Sequence, residues 1–385
     1  MALELRVLES IEEVGETAWN GLVAPGSSPF VEYAWLQALE EAGCVGGRSG
    51  WHPRHLVLYD GGEIAAATPA YLKTNSEGEF VFDWAWADLA SRMGLAYYPK
   101  LVLSVPFTPA TGRRLLCHPS RDRGEMVSVF ASAIGTLTRE LELSSAHVLF
   151  PAKDEADLWE KAGFLVRAGV QYHWSNAGFK TYEDFLATLP QKKRTQIRRE
   201  RKQPGMDGMT ITTLSPDELR GPGGEAIAEK MHELYLTTVY KYFYGRRYMK
   251  RRFFDLVRER FADRLAWVVA RDKDGEILAS AFNVKKDGVL YGRYWGTTID
   301  RPFLHFNVCY YHGVDEAIRE GLTTFNPGAG GEHKRVRGFV PTLTWSAHHV
   351  QDARFRDIIA KHLKRENAAL SDYVASGGKD DDEPT

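Results

Sequence analysis

The sequence predicts an α/β fold with mixed α+β sheets, laid out as two tandem domains that share one element order. Its 385 residues exceed a single compact core of about 100–200 residues. It also holds two three-stranded meanders, each preceded by a pair of amphipathic helices and followed by a helix and an apolar strand. A 44% hydrophobic and 26% charged composition is that of an ordinary globular chain.

In the first half, residues 5–10 read as a strand and 11–23 as a helix. A second helix has Phe30, Tyr33, Trp35, Leu36 and Leu39 at helical spacing. Residues 52–74 form a meander around an Asp60-Gly61-Gly62 turn, continued by an extended piece, GEFVFDWAW, at 78–86. Then follow a strand at 100–105, a helix at 126–143, a buried strand at 147–152, a short helix at 154–163 and a strand at 166–174. The second half opens with one helix over 181–202, then helices at 225–243 and 251–262. Three strands over 265–298 are joined by Asp274-Gly275 and Asp287-Gly288 turns. A helix from His305 to Glu320, a strand at 323–327, a Gly-rich turn and a strand at 341–350 complete it. The expected domains are residues 1–178 and 179–372, with a disordered acidic tail at 373–385. The repeated order matches the acetyltransferase fold, a duplication in pattern rather than in sequence.

Several function classes are disfavoured. A net charge of −2 argues against a surface that is globally a trap for polyanions. Cys44, Cys117 and Cys309 lack C-x-x-C spacing, so neither a disulfide framework nor a cysteine-rich metal site is expected. The acidic, amphipathic start and the lack of a long apolar run point to a cytoplasmic chain without a membrane span. No P-loop, H-E-x-x-H or G-x-S-x-G stands in the right context.

Two blocks carry more than pattern. FDWAWADLASRMGLAYYPKLVLSVPFTPATGRRLL precedes Cys117, and RYWGTTIDRPFLHFNVCYYHGVDEAIREGLTTFNPGAGGEHKRVRGFVPTLTWSAHH ends at His349. Both resemble signatures of the FemAB-like family (peptidoglycan biosynthesis/recognition) of the GNAT acyltransferase superfamily. The resemblance implies a tandem duplicated GNAT-like acyl-CoA N-acyltransferase fold. It also implies acyl or aminoacyl transfer to a primary amine on a small molecule or peptidoglycan precursor, with acyl-CoA or aminoacyl-tRNA as donor. Asn307 and Asn326 stand where the family pattern has carboxylates, which leaves a non-catalytic recognition protein as the alternative.

Acyl transfer to an amine needs a positioned donor, a polarised carbonyl and a path for one proton. In this fold two neighbouring strands part to grip the donor's arm, and its phosphates fall at the next loop. The PFTPATGRR loop is the first-domain candidate: Thr108 and Thr111 offer hydroxyls, Gly112 a close backbone approach, and Arg113 and Arg114 an anion clamp. Asp83, Trp84, Trp86, Tyr98 and Lys100 are candidate substrate-pocket residues; the buried face of a strand explains the rings equally well. In the second domain, Gly328, Gly330 and Gly331 let the chain turn sharply and present Glu332 and His333 as candidate acid/base groups, with His305 at the start of the helix expected from His305 to Glu320. Lys334 and Arg337 are candidates to hold the donor's phosphate or carboxylate; Tyr294, Trp295, Asn307 and Asn326 are candidate substrate contacts. The basic run at 191–202 suits a tRNA or CoA polyphosphate, or equally a solvated helix, and an RNA-binding adaptor is the third reading.

Overall fold

Alternating apolar residues between Asp-Gly turns, and apolar stripes at helical spacing, become strands and helices in a computed structural model that describes residues 3–241 and 245–378. The chain forms two compact units: residues 1–171 together with 342–385, and residues 172–341.

The first unit runs β1 (Leu3–Leu8), α1 (Glu16–Asn20), α2 (Tyr33–Glu41), β2 (Trp51–Pro53), β3 (His55–Asp60), β4 (Glu63–Thr68), β5 (Ala70–Lys73), α3 (Trp84–Arg92), β6 (Lys100–Leu103), β7 (Leu116–Cys117), α4 (Arg123–Glu140), β8 (Ser145–Leu149), α5 (Lys153–Lys161) and β9 (Leu165–Ser175), whose last residues enter the second unit. One small antiparallel sheet is ordered β1-β3-β4-β7. In the other, β2, β5 and β6 are antiparallel neighbours, and β6 then pairs parallel with β8. Met126, Phe130 and Ile134, one helical turn apart on α4, bury against this sheet. Each such side chain contributes roughly 1.5–3 kcal/mol of burial.

The second unit holds α6 (Tyr182–Ala187), α7 (Gln191–Met206), β10 (Thr210–Thr213), α8 (Pro216–Arg220), α9 (Gly224–Lys241), α10 (Arg251–Arg260), β11 (Val268–Arg271), β12 (Ile277–Lys286), β13 (Val289–Thr297), α11 (Leu304–Phe306), α12 (His312–Arg319) and β14 (Thr324–Asn326). Strands β10 to β13 are antiparallel neighbours, and β13 pairs parallel with β14. Asp287 and Gly288 both take positive φ, 47° and 80°, the geometry of a tight hairpin turn. Last come β15 (Val340–Val350) and α13 (Ala353–Ala375).

Four sequence expectations differ from this. The single helix expected over 181–202 is two, because Leu189-Pro190 breaks it before α7. The GEFVFDWAW segment is not extended at its end: Trp84 starts α3, whose Trp86 and Ala90 bury with Phe355, Ile359 and Leu363 of α13. Residues 342–372, expected in the second domain, belong to the first unit, since Ser346–Val350 pairs antiparallel with β8. The tail expected to be disordered from residue 373 continues α13 to Ala375, and residues 379–385 lie outside the described residues. The end of the helix expected at 225–243, from residue 242, lies outside them too. Among the described residues no helix is long and apolar enough to cross a membrane.

Helix α9 lies close on β13: Thr238 Oγ1 donates to Trp295 O at 2.7 Å, and a Cβ at Gly296 would stand 1.7 Å from Leu234 O. Gly296→Ala is therefore expected to destabilise the protein by about 2 kcal/mol or more, read as a lower urea midpoint. An unchanged midpoint would show that α9 can shift freely.

Candidate functional site

In the second unit the parallel ladder between β13 and β14 is short. The β13–β14 ladder covers Val289↔Thr324, Leu290↔Phe325 and Tyr291↔Asn326. Next on β14's side comes Pro327, which has no N–H to continue a ladder. Opposite it stands Gly292, where a Cβ would sit 3.1 Å from Pro327 Cα. On β13's other side the register shifts between Phe282 and Asn283, so that Tyr294 faces Phe282 and Gly292 faces Asn283. Arg293 is the extra residue of this bulge, which bends the strand and re-aims its side chains. Beyond the end of the ladder lies a cavity of about 180 Å³, lined by residues that include Arg293, Tyr294, Trp295, His305, Tyr310 and Lys334.

The glycine-flanked segment closes one side of it. Gly331 takes φ 91° and residues 332–337 form a 3-10 helix, rather than the tip of a strand. His333 sits at the exposed rim, its Nε2 2.9 Å from the Tyr310 hydroxyl and its ring 6.0 Å from that of His305. Burial, with the charges of Lys334 and Arg337, holds His333 below its ordinary pKa. Burial, His333 and nearby cations that include Lys241 bring His305 down to about 4. Both rings are neutral near pH 7, and His333 keeps more basicity. Lys334 is 2% exposed; its ammonium donates to Gly328 O (2.8 Å) and Ala329 O (3.3 Å), and burial lowers its pKa to about 8. The side chain of Glu332 lies outside the described residues.

Arg337 does not face the cavity as an anion clamp. It is buried, donates to Glu200 Oε2 (3.0 Å), Tyr311 Oη (2.9 Å) and His333 O (2.9 Å), and lies 3.3 Å over the Phe306 ring. Asn307 opens a π-helical turn between α11 and α12, and its Nδ2 donates to Glu200 O and Phe303 O. It lines a separate cleft of about 210 Å³ with Arg201, Tyr311, His312 and Asp315. Asn326 Oδ1 accepts from Gly328 N at 3.0 Å and shapes the turn after β14. Both amides thus serve the backbone, a use a carboxylate in place of Asn307 could not match because it has no N–H to donate.

The first unit closes the corresponding place. Beyond the parallel β6–β8 pairs the PFTPATGRR loop folds inward: Arg114 is 1% exposed and donates to Leu149 O, Gly112 O and Ala110 O. Gly112 N donates to Phe150 O, and its close neighbour is Ser28, 2.7 Å from an added Cβ. Thr108 is buried on Pro106 O, Arg113 pairs with Asp154 at 2.5 Å, and Thr111 Oγ1 is buried without a hydrogen-bond partner among the described residues. The expected phosphate loop is an internal brace. Asp83 and Lys100 are likewise buried, paired with each other, with Glu79 and Ser76 also on the Lys100 ammonium. Burial pulls Lys100 down, but the two carboxylates outweigh it and hold the ammonium charged. Trp86 packs on His348, Tyr98 bonds Ser76, and Trp84 is exposed rather than part of a pocket wall.

Much of the basic run is also committed internally. Arg198 pairs with Glu183, Arg201 with Asp315, and Arg194 reaches Leu189 O. Lys192, Arg199 and Lys202 stay exposed. The sequence reading passed over Glu200, Asn283 and Tyr310. A lone acid among seven bases was the available signal for Glu200, since a helix turns its odd residue inward when it has a buried partner. Nothing local marks Asn283 or Tyr310.

Two parallel strand pairs, β6–β8 and β13–β14, each flanked by antiparallel neighbours, mark a tandem GNAT-like fold. The chain belongs to the FemAB-like family, described by peptidoglycan biosynthesis or recognition, which matches residues 10–381. Similar solved structures include the C-terminal domain of a putative lysylphosphatidylglycerol synthetase from Agrobacterium fabrum (14% identity, TM-score 0.54, covering 96% of this chain and 98% of that one). FemX is similar too (10%, TM-score 0.53, 94% and 100%), as is L-PGS from Bacillus licheniformis (10%, TM-score 0.50, 86% and 94%). No curated protein matches the sequence.

If Arg114 braces the first unit, Arg114→Met leaves buried carbonyls unpaired and is expected to cost about 2–4 kcal/mol in urea unfolding. Full stability, with weakened binding of a phosphate-bearing ligand, would instead restore the anion-clamp role.

Proposed function

We propose that the second unit transfers an acyl or aminoacyl group to a primary amine, with the donor's acyl end in the cavity where β13 leaves β14. The observation that carries this reading is the early end of that parallel ladder at a cavity, beside two neutral imidazoles and a buried ammonium. Membership of the FemAB-like family, and likeness to structures named for FemX and lysylphosphatidylglycerol synthetase, support it. The donor is an activated ester or thioester, as in aminoacyl-tRNA or acyl-CoA, and a peptidoglycan-precursor amine is the acceptor that the family description favours.

In the step itself, the amine nitrogen attacks the acyl carbon and the carbon–oxygen or carbon–sulfur bond to the carrier breaks. The attacking nitrogen loses one proton and the leaving group gains one. His333, exposed at the rim and neutral, takes that proton, with Tyr310 fixing its ring. Lys334 uses two of its three N–H groups on carbonyls and offers its charge to the oxygen that gains negative charge. Backbone at the Arg293 bulge, outside the regular ladder, helps to align the donor's arm.

His333→Gln is expected to lower kcat about 100-fold or more with KM nearly unchanged, in steady-state assays with an amine acceptor. An unchanged kcat removes His333 from the proton path. Wild-type protein that binds the peptide acceptor but turns over no donor would make it a recognition protein. Lys334 has its pKa lowered from 10.5 to about 8, so its charge is present below about pH 8 and lost above. Donor affinity is expected to fall as pH rises through that value, and Lys334→Met to flatten the profile in a binding titration.

A further inference from the structure

The helical segment that runs from α11 through the π-helical turn into α12 serves two hollows. His305, Cys309 and Tyr310 line the transfer cavity, whereas Asn307, Tyr311, His312 and Asp315 line the cleft of about 210 Å³, together with Arg201 of α7. The π-helical turn over Asn307–Tyr311 widens the helix at this wall, and such turns recur at functional sites. The polar groups here keep hydrogen-bonding capacity to spare. Asn307 uses its Nδ2 on Glu200 O and Phe303 O, which leaves Oδ1 as an acceptor. Thr213 gives its one hydroxyl proton to Glu316, a carboxylate flanked by Lys285 and Arg319 at 3.8 and 3.6 Å, so it accepts from His312 Nε2–H at 2.9 Å. That fixes the tautomer and leaves His312 Nδ1 with a lone pair; burial, with the charges of Arg319 and Arg201, brings this ring to about 4 and keeps it neutral near pH 7. Asp315 pairs through Oδ2 with Arg201 Nη2 at 2.6 Å, which leaves Oδ1 and uses one of the five guanidinium N–H groups. Arg201 Cζ lies 3.4 Å from the centre of the Tyr182 ring; the phenol is near enough to feel the charge, but neither Nη1 nor Tyr182 Oη completes a hydrogen bond among the described residues.

We infer that this cleft binds a free α-amino acid with a small aliphatic side chain, its carboxylate on Arg201 and its ammonium among Asp315 Oδ1, His312 Nδ1 and Asn307 Oδ1. Neither the donor nor the proton path of the transfer reaction enters into this assignment. An ammonium carries three N–H donors and no acceptor, and the helix offers it three acceptors; a carboxylate only accepts, and Arg201 retains the donors. Charge selects the zwitterion. A guanidinium and a carboxylate stand side by side in the lining, so each attracts one end of such a ligand, whereas a bare anion is repelled by Asp315 and a bare cation by Arg201. Volume sets the size: a cavity of about 150 Å³ holds roughly six heavy atoms, so one of about 210 Å³ holds roughly eight, the count in valine. Met209 and Ile211, also in the lining, give its isopropyl group an apolar wall.

The test is a calorimetric titration of the full chain with L-valine, with isovalerate, which lacks the ammonium, and with isobutylamine, which lacks the carboxylate. L-Valine is expected to bind at least about tenfold tighter than either. Asp315→Asn alters a side chain that is 42% exposed and keeps its shape, so the fold is expected to persist, checked by circular dichroism, while L-valine binding weakens about tenfold or more. Arg201→Met is expected to abolish the advantage of L-valine over isobutylamine; should that variant not fold, Asp315→Asn alone decides. Isovalerate or isobutylamine binding as tightly as L-valine, L-valine binding that Asp315→Asn leaves unchanged, or no binding of L-valine up to about 10 mM would each overturn the assignment, and none of these results bears on acyl transfer in the other cavity.

Discussion

The second unit depends on one buried ion pair. Glu200 on α7 and Arg337 at the end of the 3-10 helix are both almost fully buried, 3.0 Å apart, and the Tyr311 hydroxyl joins them by donating to Glu200 and accepting from Arg337. Gln196 holds the second Glu200 oxygen at 2.7 Å. A buried charge left without its partner costs about 3–5 kcal/mol, so helix, π-helical turn and glycine-flanked segment are locked to one another. Arg337 also holds His333 O, which ties the ion pair to the backbone of the proposed proton acceptor. Chemistry at the rim is thus positioned by electrostatics a few residues away from it.

The two parallel strand pairs meet opposite fates for local reasons. After β14, Pro327 ends the ladder, Gly292 permits close approach, and a cavity lies beyond the bulge at Arg293. After β6, a loop carrying Arg114 re-enters and offers its guanidinium to the carbonyls that parting would expose. An arginine with several donors in a rigid fork suits this work, because it satisfies several backbone oxygens at once. One architecture used twice therefore yields one braced unit and one open one.

Burial moves the titrating groups in one consistent direction. His305 falls to about 4, Lys334 to about 8, and the phenol of Tyr310 rises, each favouring its neutral form. Around the cavity this leaves neutral imidazoles as acceptors and a protonated lysine as the cation. Only His333, at the rim, combines exposure with a neutral ring, which separates it from His305 despite their shared cluster.

Periodicity and turn chemistry in the sequence determined most elements: the Asp-Gly hairpins, the helix stripes, and the near-complete span of the FemAB-like signatures. It also named His305, Lys334, Tyr294 and Trp295, which line one cavity, and His333, whose ring stands 6.0 Å from that of His305. Those features are local, set by residues within a few positions of each other. Tertiary structure alone decided that Arg114, Arg337, Asp83 and Lys100 face inward, since a charge reads the same in sequence whether it meets water or a buried partner. It alone decided that Trp84 begins a helix, because the surface that fixes α3 comes from α13, more than 250 residues later. That Asn283 lines the cavity depends on a bulge between two strands, and no single segment records that.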